Sequence, residues 1–235
     1  MKITSLGLLA ALILIGCSDN KKEGNLEITG NIKGLNKGTI YIQKVEDTTL
    51  VLMDSISISG DSYFSSTLQI DSPEMLYIFL DRGTSNTIDN NLPFFAEPGK
   101  MNIDTRLETF YAEAKITGSK NHDLFEEYKK VKSRFVNQEM ELTSEKLNAF
   151  KNKTALPEDY QSKVDAVTKR KYLHAINFAL TNKDYEIAPY IALAEIPDAN
   201  VKYLDTIQKS MAPKVANSKY GKLLTSYVAD LKKKD

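Results

Sequence analysis

Across 235 residues there is one cysteine, Cys17, and no tryptophan. A single thiol excludes an internal disulfide, a Cys-x-x-Cys redox pair and a cysteine-built zinc centre within the chain. Histidine is almost as scarce, with only His122 and His174. Charge of one sign is not in excess either: 31 Lys and Arg balance 31 Asp and Glu. A nucleic-acid binder would show a basic surplus or a basic face, so no nucleic-acid partner is expected. The strained Gly-x-Ser-x-Gly turn of a serine nucleophile is missing. Long apolar runs are missing as well, save one at residues 3–15, and it is too short to span a bilayer core, which takes about 20 apolar residues in a helix.

That run has the form of a secretory signal, with Lys2 as its positive start and Gly16 as the small residue before a cut. Leu14-Ile15-Gly16-Cys17 resembles the lipobox of bacterial lipoproteins. The resemblance implies a signal peptide over residues 1–16, cleavage between Gly16 and Cys17, and diacylation of the Cys17 sulfur. A thiol can carry a thioether-linked glyceride, and several acyl chains hold a protein stably on a membrane. With Cys17 lipidated, the mature chain keeps no free thiol. Residues 17–25 then read as a polar tether. Ser18 stands where inner-membrane lipoproteins carry aspartate, which favours the outer membrane, facing the periplasm or the cell surface.

From residue 26 to about 118 the apolar period is two. Leu26, Ile28 and Ile32 alternate with polar residues, and Leu50, Leu52, Ile56 and Ile58 share one face of a later run. Clusters of Gly, Asn, Asp and Ser separate the runs, as in antiparallel hairpins. Residues 75–80 are apolar on both faces and read as a central strand, and Glu97-Pro98-Gly99-Lys100 reads as a turn. After Gly118 the period lengthens to that of a helix: Leu124, Tyr128, Val131 and Phe135 form one stripe, with Ser119 or Asn121 as cap. Thr143 or Ser144 is positioned to begin a second helix, Pro157 a third reaching about residue 180, and shorter helices follow at 187–195 and 201–211. Tyr220, Leu223, Leu224, Tyr227 and Leu231 form the stripe of a last one, expected to face inward. The expected fold is therefore α+β: an antiparallel β-sandwich or open barrel over residues 26–118, then an all-α region over 119–235.

The segments "LEITGNIKGLNKGTIYI" and "AKITGSKNHDLFEEYKK", with the lipobox before them, resemble the N-terminal β-domain of unknown function of Bacteroidota lipoproteins. In many of these proteins a helical segment and a thioredoxin-like thiol-disulfide oxidoreductase domain follow. "ALTNKDYEIAPYIAL" and "NSKYGKLLTSYVADLKK" are similar to that helical segment. The relatives' Trp-Cys-x-x-Cys motif has no counterpart here, and the sequence ends at Lys234-Asp235, where such a domain would begin. The resemblance thus implies the architecture and the compartment without the redox reaction.

Candidate chemistry is sparse. His122 has Asp123 beside it and Glu126 one turn on, which could make a two-ligand helix face; a solvated helix N-terminus explains it more simply. His174 lies between Leu173 and Ala175 with no carboxylate one turn away, as a residue at the edge of a core. The adjacent pairs Glu126-Glu127 and Glu158-Asp159 point in different directions and form no dyad. Gly30 to Gly34 and Gly34 to Gly38 lack the helix that a phosphate loop needs, and hairpin turns account for them. Lys232, Lys233 and Lys234 complement the negative end of the last helix. Tyr77, Phe79, Phe94 and Phe95 fill the core or line a groove with Tyr63 at its rim. No catalytic residue, cofactor or metal site is therefore expected. The expected role is a non-catalytic interaction or binding module of the cell envelope. Its alternatives are an accessory of a thiol-disulfide oxidoreductase or peroxiredoxin-type system with a thioredoxin-like partner, and a small-ligand binder using the groove between the halves.

Overall fold

The computed structural model describes residues 23–83 and 90–233. The signal segment, Gly16, Cys17 and Lys234 lie outside the described residues. Eight strands come first: β1 (Leu26–Lys33), β2 (Lys37–Glu46), β3 (Thr49–Ser59), β4 (Tyr63–Leu68), β5 (Glu74–Asp81), β6 (Asn91–Ala96), β7 (Gly99–Arg106) and β8 (Lys115–Thr117). Six helices follow: α1 (Lys120–Asn152), α2 (Tyr160–Thr181), α3 (Ile187–Glu195), α4 (Val201–Ser210), α5 (Pro213–Ala216) and α6 (Lys219–Lys232). The chain is α+β, with strands and helices segregated as their two periods require.

The strands form two four-stranded sheets, ordered β4-β1-β7-β8 and β3-β2-β5-β6. They face each other as an open sandwich, with no closed barrel. Leu26, Ile28 and Ile32 of the first sheet and Ile40, Ile42, Leu76, Ile78 and Leu80 of the second are buried in the core between them. Pairing is antiparallel except between β1 and β7, which run parallel from Leu26 opposite Gly99 to Lys33 opposite Arg106.

Two turns read as hairpins are arches instead, and the turn at Glu97-Pro98-Gly99-Lys100 is a third arch. β1 and β2 lie in different sheets, as do β3 and β4, and β6 and β7. The arch at Gly34 and the arch at Gly60 stack on each other, Gly60 N donating to Asn36 O at 2.8 Å, and Leu35 is buried beneath. Gly30 is not in a turn at all. It sits within β1, where a Cβ would lie 2.1 Å from Ile103 O and 2.7 Å from the Phe64 ring. Only glycine leaves room for that ring.

A register shift opposite Ile42 and Gln43 leaves Met53 as an extra residue in β3. A bulge inverts which face later residues occupy. Ile58 is buried, while Leu50 and Leu52 are exposed on the outer face of the sheet, so the expected four-residue stripe splits.

Helices cover only part of that outer face. Met75 and Phe95 belong to the helical core rather than to the sandwich, alongside Tyr128, Ile187, Ile191 and Leu224. The ring of Tyr190 meets Phe95 edge-on at 5.6 Å and that of Tyr220 lies 5.9 Å from it. Met75 N donates to the Tyr220 hydroxyl at 3.0 Å, and Lys219 pairs with Glu74. β5 is therefore central in both senses, with paired strands beside it and apolar layers on both faces.

α1 is one continuous helix through Thr143 and Ser144, not two. The Thr143 hydroxyl donates back to Glu139 O at 2.7 Å, which satisfies it inside a helix instead of at a cap. Ser119 caps α1, accepting from His122 N at 3.0 Å. In α6 the buried residues are Gly221, Leu224 and Val228; Tyr220, Tyr227 and Leu231 pack partly, and Leu223 is exposed, a correction to the expected stripe. Among the described residues no helix is long and apolar enough to cross a membrane.

Candidate functional site

Where the sandwich meets the helices, four segments enclose a cleft with a cavity of about 280 Å³. The β4–β5 loop brings Asp71, Ser72 and Pro73; the β6–β7 arch brings Glu97 and Pro98; Glu186 precedes α3; and Lys214, Asn217 and Ser218 come from α5 and the residues after it.

Behind the cleft stands Asn121, fully buried in the first turn of α1. Its Nδ2 donates to Glu97 Oε2 at 3.3 Å and to Glu186 Oε2 at 3.1 Å, and its Oδ1 accepts from Ile187 N at 2.8 Å. One amide thus joins the sandwich, α1 and α3. Glu97 Oε2 also accepts from the Ser119 hydroxyl at 3.1 Å and from Asn121 N at 3.2 Å. Both carboxylates sit at helix N-termini, Glu97 at α1 and Glu186 at α3, where unpaired N–H groups and the helix dipole favour negative charge.

Glu186 is only 1% exposed. Its Oε2 is held by Asn121, but its Oε1 accepts no hydrogen bond among the described residues. Among the described residues the cation paired with Oε1 is the Lys214 ammonium at 3.5 Å, on a side chain that is largely exposed. A buried carboxylate oxygen without a hydrogen bond is costly and rare in a folded chain. Here it borders a cavity, so the cavity has at its back an acceptor met only by an ion pair and at its mouth an exposed lysine.

Residues 26–125 match the family model described as Domain of unknown function (DUF4369). No curated protein matches the chain. The DUF4369 match spans both sheets and ends in the second turn of α1, so it takes in Glu97, Ser119, Asn121 and His122. Glu186 and Lys214 lie beyond it. The cleft is accordingly built half by the DUF4369 domain and half by the later helices.

The residues singled out from sequence do not converge there. His122 is buried rather than solvated: Nδ1 accepts from Phe95 N at 3.3 Å, and Nε2 lies 3.5 Å from Glu126 Oε1. Burial lowers its pKa below the usual histidine value, against the opposing pull of Glu126. His174 is half-buried and stacked on Tyr128 at 4.9 Å, with no hydrogen bond to Nε2 among the described residues and its pKa lowered by burial. Glu126 also pairs with Lys129 at 2.6 Å, and Asp159 with Lys163 at 3.0 Å. Lys232 pairs with Asp205 at 2.6 Å and Lys233 with Asp230 at 2.9 Å, so specific partners hold them in addition to any helix dipole. Phe94 fills the sandwich core and Phe95 the helical core; Tyr77 and Phe79 are half-buried on the outer sheet face. Tyr63 is exposed beside a shallow groove with Thr29, Asn102 and Asp104.

Among the described residues no three His, Cys, Asp or Glu side chains stand close enough to hold a metal ion. The cleft offers two fixed carboxylates and a neutral amide. Such a set accepts hydrogen bonds and positive charge.

Proposed function

We propose that this chain is a lipid-anchored protein of the cell envelope that acts by binding, and that the cleft between its two halves receives a cationic group from a protein partner. The observation that carries the reading is Glu186 Oε1: buried, without a hydrogen bond, and bordering a cavity whose lysine is free to swing out. An incoming ammonium or guanidinium replaces Lys214 there and reaches the free edge of Glu97 as well. Charge-assisted bonds of this kind are among the stronger ones available to a binding site. The volume of about 280 Å³ falls at the low end of small-molecule pockets, so it suits the end of one side chain better than a drug-sized molecule. Asn121, with its two carboxylates locked as acceptors, positions charge rather than moving protons, which supports a non-catalytic role.

The lipobox of residues 14–17 supports anchoring at Cys17, on the outer membrane, and the resemblance to thioredoxin-bearing Bacteroidota lipoproteins supports an accessory role beside a thioredoxin-like partner as the second reading. The DUF4369 match favours that reading insofar as it covers the β-domain on which the resemblance rests.

Titration of the protein with n-butylammonium and with N-acetyl-arginine amide, followed through the backbone amide signals of residues 121, 186 and 187, tests the cleft. Both cations should give saturable shifts, 1-butanol none; Glu186→Gln should weaken binding at least tenfold and Lys214→Ala should tighten it. Absence of saturable shifts with either cation rejects the reading. For anchoring, labelled palmitate should enter the wild-type chain and not Cys17→Ser, and equal incorporation into both rejects it.

A further inference from the structure

The cleft between the two halves holds more negative charge than its one lysine can balance. Asp71, Glu97 and Glu186 border it against Lys214 alone, so two negative charges stand in surplus around the cavity. The three carboxylates surround that space without converging on a point, since among the described residues no three acidic side chains stand close enough to hold one ion. A compact charge such as an ammonium gathers its acceptors around one atom. Acceptors set around a cavity suit a cation whose N–H groups fan outward in a plane.

Two of the carboxylates are also fixed as neighbours. Glu97 Oε2 and Glu186 Oε2 share Asn121 Nδ2, at 3.3 and 3.1 Å. Every hydrogen bond that either carboxylate accepts among the described residues falls on Oε2, so Oε1 of each is left without one. A guanidinium presents five N–H donors along separate edges and can serve two such oxygens at once.

Lys214 shows how an ammonium fares in the same place. Its Nζ stays 3.5 Å from Glu186 Oε1. Where other lysines of this chain meet a largely buried carboxylate the pair closes further, Lys132 with Glu195 to 2.7 Å and Lys232 with Asp205 to 2.6 Å. Pro73 and Pro98 add carbon to the cleft wall. Guanidinium is more weakly hydrated than ammonium, so it loses less on leaving water for such a wall.

We infer that the side chain this cleft selects is arginine rather than lysine, its fork bridging Glu97 and Glu186; this rests on the reading that the cleft receives a cation and narrows that reading to one residue type. Glu97 and Glu186 together set the selectivity, because either one alone would serve an ammonium as well.

Three probes separate the selectivity from the cation binding beneath it. They are N-acetyl-arginine amide, N-acetyl-lysine amide, and N-acetyl-arginine amide dimethylated on one terminal nitrogen, which keeps the charge but loses an edge of the fork. Each is titrated into the full chain in mild detergent and followed through the backbone amide signals of residues 121, 186 and 187. Arginine should bind at least tenfold more tightly than lysine and at least fivefold more tightly than its dimethyl form. Glu97→Gln can keep a side-chain carbonyl for the bonds from Ser119 and Asn121, and should bring arginine to within threefold of lysine with the far-ultraviolet circular dichroism unchanged. Should that variant unfold, the three probes on the parent chain decide alone. Saturable binding in which lysine equals or exceeds arginine overturns the arginine assignment and leaves the cation reading in place. So does dimethylarginine binding as tightly as arginine, or an arginine preference that survives Glu97→Gln in a folded chain. Saturable shifts with none of the three reject the cation reading and the arginine assignment together.

Discussion

Replacing Asn121 by alanine tests whether one buried amide couples the two halves. The side chain makes three contacts: a donor bond to ionised Glu186 at 3.1 Å, a longer one to Glu97 at 3.3 Å, and an acceptor bond from Ile187 N at 2.8 Å. Loss of a bond to a charged group costs about 1.5–3 kcal/mol, and an N–H left buried without an acceptor costs about 1–3 kcal/mol. Glu97 suffers least, because Ser119 and Asn121 N still donate to it. Members of one network do not add fully, so the expected loss is about 3–4 kcal/mol. A domain of this kind has only about 5–15 kcal/mol in total. With a urea dependence of about 2 kcal/mol per molar, the unfolding midpoint should fall on the order of 1.5 M. Asn121→Asp separates this network from simple cavity formation. It keeps the volume and the acceptor for Ile187, but it removes the donor and sets a third carboxylate between two others. At pH 7 it should therefore be at least as harmful as alanine, and it should recover in part at pH 5 as a carboxyl proton restores the donor. A loss below about 1 kcal/mol for Asn121→Ala, or an aspartate milder than alanine at pH 7, refutes the reasoning.

Two further tests follow from the same geometry. His122 and His174 both have pKa values lowered by burial, so the unfolded chain takes up their protons at a higher pH than the folded one; stability present above about pH 6.5 should be lost as pH falls through and below that value. Urea midpoints at pH 7.5 and pH 5.5 should show the fall, and His122→Gln should reduce it; a midpoint flat between the two, in wild type, contradicts the placement of both rings. Tyr220→Phe keeps the ring against Phe95 but deprives Met75 N of its acceptor, which should cost about 1–3 kcal/mol in the same assay, against less than about 0.5 kcal/mol for the exposed Leu223→Ser.

What the sequence made legible was what depends on neighbours a few residues away. β5 stood out because it is apolar on both faces, and both faces are in fact covered, Ile78 by the facing sheet and Met75 by helices. The ends of α3 and α4 were readable from Pro197 and Pro213, while the Asn200 cap of α4 is a finding of the structure. Whether a turn returns a strand beside its predecessor or carries it across to the facing sheet is not written in the turn, so Gly34 and Gly60 passed for hairpins. Thr143-Ser144 has the composition of a helix start, and only the back-bond to Glu139 O reveals a helix passing through. Leu50 and Leu52 kept the right period, and one extra residue, Met53, put them on the wrong face. The cleft was the least legible of all: Glu97, Asn121 and Glu186 are scattered along the chain, and each alone reads as a turn, a cap or a surface acid.

The parallel pairing of β1 with β7 sets an order on folding. β1 has two sheet neighbours, β4 and β7, and each closes a loop, the second of them 73 residues long between Leu26 and Gly99. Contacts of such separation form late, because the chain entropy of closing the loop must be lost before the pairing rewards it. The other sheet reaches less far: β2 with β3 and β5 with β6 are neighbours in sequence, and its longest pairing, Thr39 of β2 opposite Asp81 of β5, closes a loop of 42 residues. During synthesis β1 thus emerges before both of its sheet neighbours and is among the last strands to be secured. Until β7 arrives, Leu26, Ile28 and Ile32 wait with an unpaired edge, open to any strand of another chain. Slow refolding and concentration-dependent loss of yield should accordingly be confined to substitutions in β1, β4 and β7, while those in β2 and β3 leave the slow phase unchanged.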